Sequence, residues 1–129
     1  MVENVPPAQV WEALNNDPEA RLVDVRTEGE WNSVGIPDVS AAGTQTVLLP
    51  WQIAAGGPVN PGFLDGLRAA GLTPANHLYF ICRSGARSAA AAEAARQAGF
   101  STVYNVANGY EGGRAGLGWK AVNLPWRPT

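Results

Sequence analysis

Cys82 is the only cysteine in the chain, and it heads the run Cys82-Arg83-Ser84-Gly85-Ala86-Arg87-Ser88. An apolar stretch over 77–81 precedes it, and Ala89-Ala90-Ala91-Ala92-Glu93 follows, a composition that opens a helix. A strand delivering a cysteine into a tight loop at a helix N-terminus makes a reactive thiol, because the thiolate is the nucleophile and its charge must be stabilised. The backbone amides of residues 83 to 88 can point inward at the sulfur, and the helix dipole favours negative charge there. Arg83 and Arg87 add guanidinium forks suited to an oxyanion. Ser84 and Ser88 offer hydroxyl donors, and Gly85, followed by the small Ala86, permits the close turn. The same residues admit a plainer reading. A free cysteine at a strand end is commonly a small buried hydrophobe, Arg87 then pairs with an acid, and Ser88 is only a helix residue.

The loop needs a scaffold, and the chain around it alternates short apolar runs with helical patterns. Pro6-Pro7 followed by residues 8–15 reads as a first helix, with Val10, Trp11 and Leu14 on one face. Residues 22–25 are a β-branched run that reads as a buried strand. Thr27 with Glu30 three residues later predicts a capping box for a short helix. From 32 to 62 the pattern weakens into Gly, Pro, Ser and Ala, with 46–49 as one short strand. A helix follows from Phe63 to about Ala70, ended by Gly71. The central strand covers 77–81, a helix runs from Ser84 or Gly85 to Ala98, and 101–106 forms another strand. A glycine-broken segment from Gly109 leads to a tail whose Trp119 and Trp126 are expected to pack back on the domain. This alternation predicts an α/β domain with a mainly parallel sheet, and ligands of such sheets sit beyond the carboxyl ends of the strands. Cys82 stands at such an end.

Composition narrows the partners. With 129 residues, 46% hydrophobic and 16% charged, the chain suffices for one domain, 1–129, with a real core. A net charge of −2 with scattered basic residues leaves no electrostatic footprint for nucleic acid or an anionic membrane. No run approaches the roughly 20 apolar residues of a membrane span. No secretory signal is visible at the start, which makes the cytosol the expected compartment. One cysteine and one histidine support neither an internal disulfide nor a zinc cluster, so no metal or other cofactor is expected. Asp24 and Arg26, near a strand end, read as structural support that ties loops together. His77 begins the central strand about 15 Å from Cys82, too far to serve as its base. Trp51 is placed at the mouth of the site.

Leu22-Val23-Asp24-Val25-Arg26 with Glu30-Trp31, the Cys82–Ser88 loop, Asn105-Val106-Ala107-Asn108-Gly109-Tyr110 and the closing Gly118-Trp119-Lys120…Leu124-Pro125-Trp126 together resemble a rhodanese-homology domain, a single-domain sulfurtransferase. The likeness covers about residues 5–127. It implies a three-layer domain with a central, mainly parallel sheet of about five strands flanked by helices. It also implies ping-pong chemistry: Cys82 takes a sulfane sulfur from a small anionic donor such as thiosulfate, forming a persulfide, and passes it to cyanide or a thiol. The loop amides and Arg83, Ser84, Gly85, Ala86, Arg87 and Ser88 would bind the donor and the charged sulfur. Cys82 and Arg87 enclose four residues, whereas cysteine phosphatases and the phosphatases resembling this fold use five. The shorter ring suits one sulfur atom better than phosphate or arsenate. A second reading is a persulfide carrier serving a protein acceptor; a phosphatase or arsenate reductase is third. The chain departs from the common Gly-His-Ile-Pro-Gly-Ala pattern, reading Ser33-Val34-Gly35-Ile36-Pro37-Asp38-Val39, which leaves the loop intact, but the resemblance then fixes neither the donor nor the shape of the pocket rim.

Overall fold

The computed structural model describes residues 2–54, 56–113 and 116–129. Its centre is a five-stranded sheet made of β1 (Glu3–Val5), β2 (Ala20–Asp24), β4 (Val47–Leu48), β5 (His77–Ile81) and β6 (Val103–Val106). They lie in the order β1-β6-β5-β2-β4, and every pairing is parallel. Parallel strands need crossovers, which the helices α1 (Pro7–Asn16), α2 (Glu28–Val34), α3 (Phe63–Ala69) and α4 (Ala86–Gln97) supply. The sheet and its flanking helices are the expected α/β architecture.

Strand alternation divides the core in two. Leu78, Phe80 and Cys82 point to the side packed by Phe63 and Leu67 of α3 and Ala91, Ala92 and Ala95 of α4. Tyr79 and Ile81 point to the other side, onto Val10 and Leu14 of α1 with Tyr110 and Trp119. Alanines on the buried face of α4 let its axis lie close to β5, which brings the start of that helix against the end of the strand. The carboxyl ends of β2 and β5 run in register, with Asp24 opposite Ile81.

Several boundaries differ from the sequence expectation. α4 begins at Ala86, with Gly85 as its N-cap rather than its first turn. The strands expected at 101–106 and 46–49 are trimmed to Val103–Val106 and Val47–Leu48. The strand expected at 22–25 runs as Ala20–Asp24. The edge strand β1 carries no apolar run to announce it; it forms because β6 offers a free edge. A second, two-stranded antiparallel ladder joins β3 (Ile36–Pro37) to β7 (Trp126–Arg127). Of the tail tryptophans, Trp119 is fully buried and donates its Nε1 hydrogen to Pro125 O at 2.7 Å. Trp126 is 43% exposed and carries Lys120 Nζ over its ring at 3.8 Å, so only Trp119 belongs to the core. No described helix is long and apolar enough to cross a membrane.

Candidate active site

The first residue past β5 is Cys82, only 1% exposed, and the chain turns sharply there into α4. Gly85 makes the turn with φ of 116°, in the left-handed region that L side chains rarely adopt. In that conformation its N–H points at Cys82 Sγ at 3.1 Å. The Ser88 hydroxyl, one turn into the helix, lies 3.2 Å from the same sulfur. Of the amides expected to line the sulfur, Gly85 supplies the one within hydrogen-bonding distance. Arg83, Ser84 and Ala86 form the exposed outer side of the turn, with Gly85 and Arg87 half-buried and Ser88 fully buried.

A second segment clamps the loop from behind. Tyr110 N donates to Cys82 O at 2.8 Å and Glu111 N to Arg83 O at 2.9 Å. Gly109 passes so near that a Cβ there would sit 2.5 Å from Cys82 O, which only glycine avoids.

Ser88 is not free to donate to sulfur at all times. Its Oγ lies 2.5 Å from Asn105 Oδ1 as well as 3.2 Å from Sγ, and a hydroxyl has one hydrogen. The orientation of Asn105 is set by its neighbours: Nδ2 donates to Gly85 O at 3.1 Å, a carbonyl that can only accept. It also reaches Asn4 Oδ1 on β1 at 2.9 Å. Asn105 Oδ1 therefore faces Ser88 as an acceptor. With a neutral thiol, S–H donates to Oγ and Oγ–H to Asn105; with an anionic sulfur, the hydroxyl turns to donate to it. Asn105, an asparagine buried inside a strand, joins the site although its motif alone does not place it there. The signal was available, since a buried polar side chain must find partners.

The arginines meet carboxylates. Arg87 grips Glu30 with both Nη atoms, at 2.7 and 2.8 Å, the acid pairing that the plainer reading foresaw. Glu30 belongs to the predicted capping box: Thr27 N and Oγ1 lie 3.2 and 3.1 Å from its Oε1. Burial alone pushes the Glu30 carboxyl up, but the Arg87 and Thr27 hydrogen bonds outweigh it and hold it at about 2. The same pair raises Arg87 further. Arg83, 66% exposed, sets Nε 3.3 Å from Glu111 Oε2. Glu30, Gln52, Gly56, Arg83, Arg87 and Glu111 line a cleft of about 330 Å³ beside the loop. Glu30's second role and that of Glu111 had no sequence signal, because their partners lie 57 and 28 positions away.

Asp24 and Arg26 form a fully buried pair. Arg26 donates through Nη2 to Asp24 Oδ2 at 2.6 Å and to Gly35 O at 2.9 Å, with its guanidinium 4.1 Å from the Tyr110 ring. Burial pushes the Tyr110 phenol up to about 12 although Arg26 pulls the other way. The phenol donates to Val34 O at 3.0 Å, joining the clamp segment to the end of α2. Trp51, expected at the mouth, packs edge-on against Phe63 at 5.0 Å, and its neighbour Gln52 reaches the cleft instead. His77 sits at the far end of β5, with Nδ1 2.5 Å from Asp17 Oδ2. Among the described residues no group of three or more His, Cys, Asp or Glu side chains is placed to hold a metal.

Comparison with known proteins agrees with this geometry. The family model described as the STR4 middle domain matches residues 4–129. The crystal structure of Rv0390 from M. tuberculosis is 42% identical, covers 99% of this chain and 98% of its own, and superposes with a TM-score of 0.86. The polysulfide-sulfur transferase homodimer from Wolinella succinogenes is 26% identical over 99% of this chain and 80% of its own, with a TM-score of 0.72. Rhodanese-like domain-containing protein 4, chloroplastic, of Arabidopsis thaliana is 32% identical over 88% of this chain, which spans 23% of that longer protein. With the sheet, the cysteine turn and the clamp behind it all in the same chain, the protein belongs to the rhodanese-like family that includes the STR4 middle domain.

Proposed function

We propose that the protein is a sulfurtransferase that carries sulfane sulfur as a Cys82 persulfide from a donor to a thiophilic acceptor, residues 1–129 acting as one domain. The observation that carries this reading is the cysteine turn: a lone cysteine sulfur at the carboxyl end of β5 lies 3.1 Å from Gly85 N and 3.2 Å from the Ser88 hydroxyl. Gly85 N is already aimed at the sulfur, and the Ser88 hydroxyl needs only to turn from Asn105 to donate to it when the charge forms. With thiosulfate, Cys82–S⁻ attacks the sulfane sulfur, the S–S bond breaks and sulfite leaves, giving Cys82–S–S⁻. Attack of cyanide on the outer sulfur then releases thiocyanate and restores the thiolate. Arg83, Ser84, Ala86 and Arg87 form the rim past which donor and acceptor approach. The four-residue spacing between Cys82 and Arg87 supports sulfur over phosphate or arsenate as the transferred group.

A second reading is a persulfide carrier that releases its sulfur only to a protein partner, and the burial of Cys82, 1% exposed, favours it. Intact mass separates the two. The protein is treated with a sulfane donor and then with cyanide, alongside Cys82→Ser. A gain of one sulfur on the wild type alone, discharged by cyanide over many turnovers, is expected of the enzyme. A single stoichiometric gain that cyanide barely removes fits the carrier. No gain from any sulfane donor would sink both.

A further inference from the structure

The two donors at Cys82 Sγ differ in their freedom. Gly85 N is held on the sulfur at 3.1 Å by a backbone turn with φ of 116°. The Ser88 hydrogen has a choice, because Oγ lies 3.2 Å from Sγ, 2.5 Å from Asn105 Oδ1 and 3.3 Å from Gly85 O. Gly85 O already accepts from Asn105 Nδ2 at 3.1 Å and from Ala89 N at 3.2 Å, so the contest is between Oδ1 and Sγ. Ser88 and Asn105 are 0% and 5% exposed, and bulk water does not blunt that contest. A neutral sulfur is a weak acceptor and loses to an amide oxygen; an anionic sulfur makes a charge-assisted bond and wins. In Cys82–S–S⁻ the inner sulfur is bonded on both sides and neutral, and the charge has moved about 2 Å outward along the S–S bond. The hydroxyl therefore belongs to Asn105 in the persulfide and to Sγ in the thiolate.

We propose that Ser88 and Asn105 form a hydrogen-bond switch that favours unloading of the sulfur over its loading. Ser88 is a catalytic residue of the discharge step, and Asn105 is the positioning residue that parks its hydrogen beside Sγ until the thiolate leaves. This role rests on the persulfide reading of Cys82. In discharge, cyanide attacks the outer sulfur of Cys82–S–S⁻, the S–S bond breaks, and its electron pair passes to Sγ as thiocyanate departs. The Ser88 O–H rotates from Oδ1 to the new thiolate, and no proton changes owner. In loading the same bond opposes the reaction, since the attacking thiolate must give it up. A better-stabilised thiolate is a better leaving group and a poorer nucleophile, each rate following about half of the change.

The test measures the two half-reactions separately on the purified full chain by rapid quench and intact mass. Loading is followed with thiosulfate, or with glutathione persulfide where thiosulfate does not load, at the alkaline plateau of the rate where the thiolate is complete. Discharge of the isolated persulfide by cyanide is followed at the same pH. With the hydroxyl worth about tenfold in thiolate stability, Ser88→Ala should raise loading about threefold and lower discharge about threefold. The ratio of discharge to loading then falls about tenfold, a change of opposite sign in the two steps that misfolding does not produce. Ser88→Thr, which keeps a hydroxyl, should hold the wild-type ratio. Asn105→Ala should lower the ratio too, and adding Ser88→Ala to it should move the ratio by less than about threefold, because the hydroxyl is no longer aimed. Two half-reactions that slow together in Ser88→Ala and in Asn105→Ala, or a ratio that neither variant moves, would overturn the switch while leaving the sulfurtransferase reading intact. Sulfur gain from neither donor on the wild type would overturn both.

Discussion

The two ends of the parallel sheet each carry a cleft of nearly the same size and a carboxylate paired with a basic side chain. At the amino end, about 340 Å³ lies between Leu14–Arg21 and Ala42–Thr44, near the Asp17–His77 pair. At the carboxyl end, about 330 Å³ lies beside the cysteine turn, with the Glu30–Arg87 pair. Volume does not tell them apart. Direction does, because α4 begins beyond the carboxyl end of β5, where Gly85 N and the Ser88 hydroxyl meet at Cys82 Sγ. The amino end receives the last turn of α1, and Asp17, His77, Asn76 and Glu19 bond one another. One end sets two donors around a buried thiol; the other ties a strand to a turn.

Substitutions can break this contrast. Cys82→Ser should lower sulfur transfer by at least about 10³-fold, with folding unchanged in circular dichroism, since no other thiol can take the sulfur. Arg26→Ala leaves Asp24 charged and buried without its partner, at a cost of about 3–5 kcal/mol, and thermal melting should show a loss of more than about 10 °C. Asn105→Ala removes the acceptor that steers Ser88 and the donor that holds Gly85 O. It should lower kcat/KM by about tenfold while Asn105→Asp, which keeps Oδ1, recovers part of the rate; a loss in thermal stability alone, without a change in rate, would reduce Asn105 to a packing role.

Acid should act on the carboxyl end through Glu30, whose pKa is lowered from 4.5 to about 2. A depressed carboxyl contributes stability that is complete above its unfolded value and is lost as pH falls through the folded one. The wild type should therefore lose stability between about pH 4.5 and 2 in urea titrations, and Glu30→Gln should flatten that part of the curve. The smallest effect is expected at the amino end. His77→Gln disturbs a pair whose side chains are 38% and 30% exposed, and should cost under about 1 kcal/mol with sulfur transfer unchanged. A large activity loss there would mean that the two ends communicate through β5.

Much of the site was legible from residue types alone. Cys82 after an apolar run, glycine three residues on and an alanine helix behind it sufficed to place the thiol at a strand-to-helix turn. The Thr27–Glu30 capping box was equally local. What escaped detection depends on distant chain segments. β1 has no apolar pattern and exists because β6 has an open edge. The β3–β7 ladder joins positions 36 and 127, which no window of sequence connects. Trp51 could be read as a rim aromatic because nothing local reveals that Phe63 is its partner.

The division has a physical reason. Backbone preference, helix initiation and strand period act within a few residues, so the sequence by itself determined the turn, the place of the thiol and the alternation that builds a parallel sheet. Charge balance and hydrogen-bond direction are set by neighbours in space. Only the tertiary structure decided that Arg87 is held by Glu30, that Asn105 steers Ser88, and that Arg83 and Arg87 share a cleft with Glu30 and Glu111.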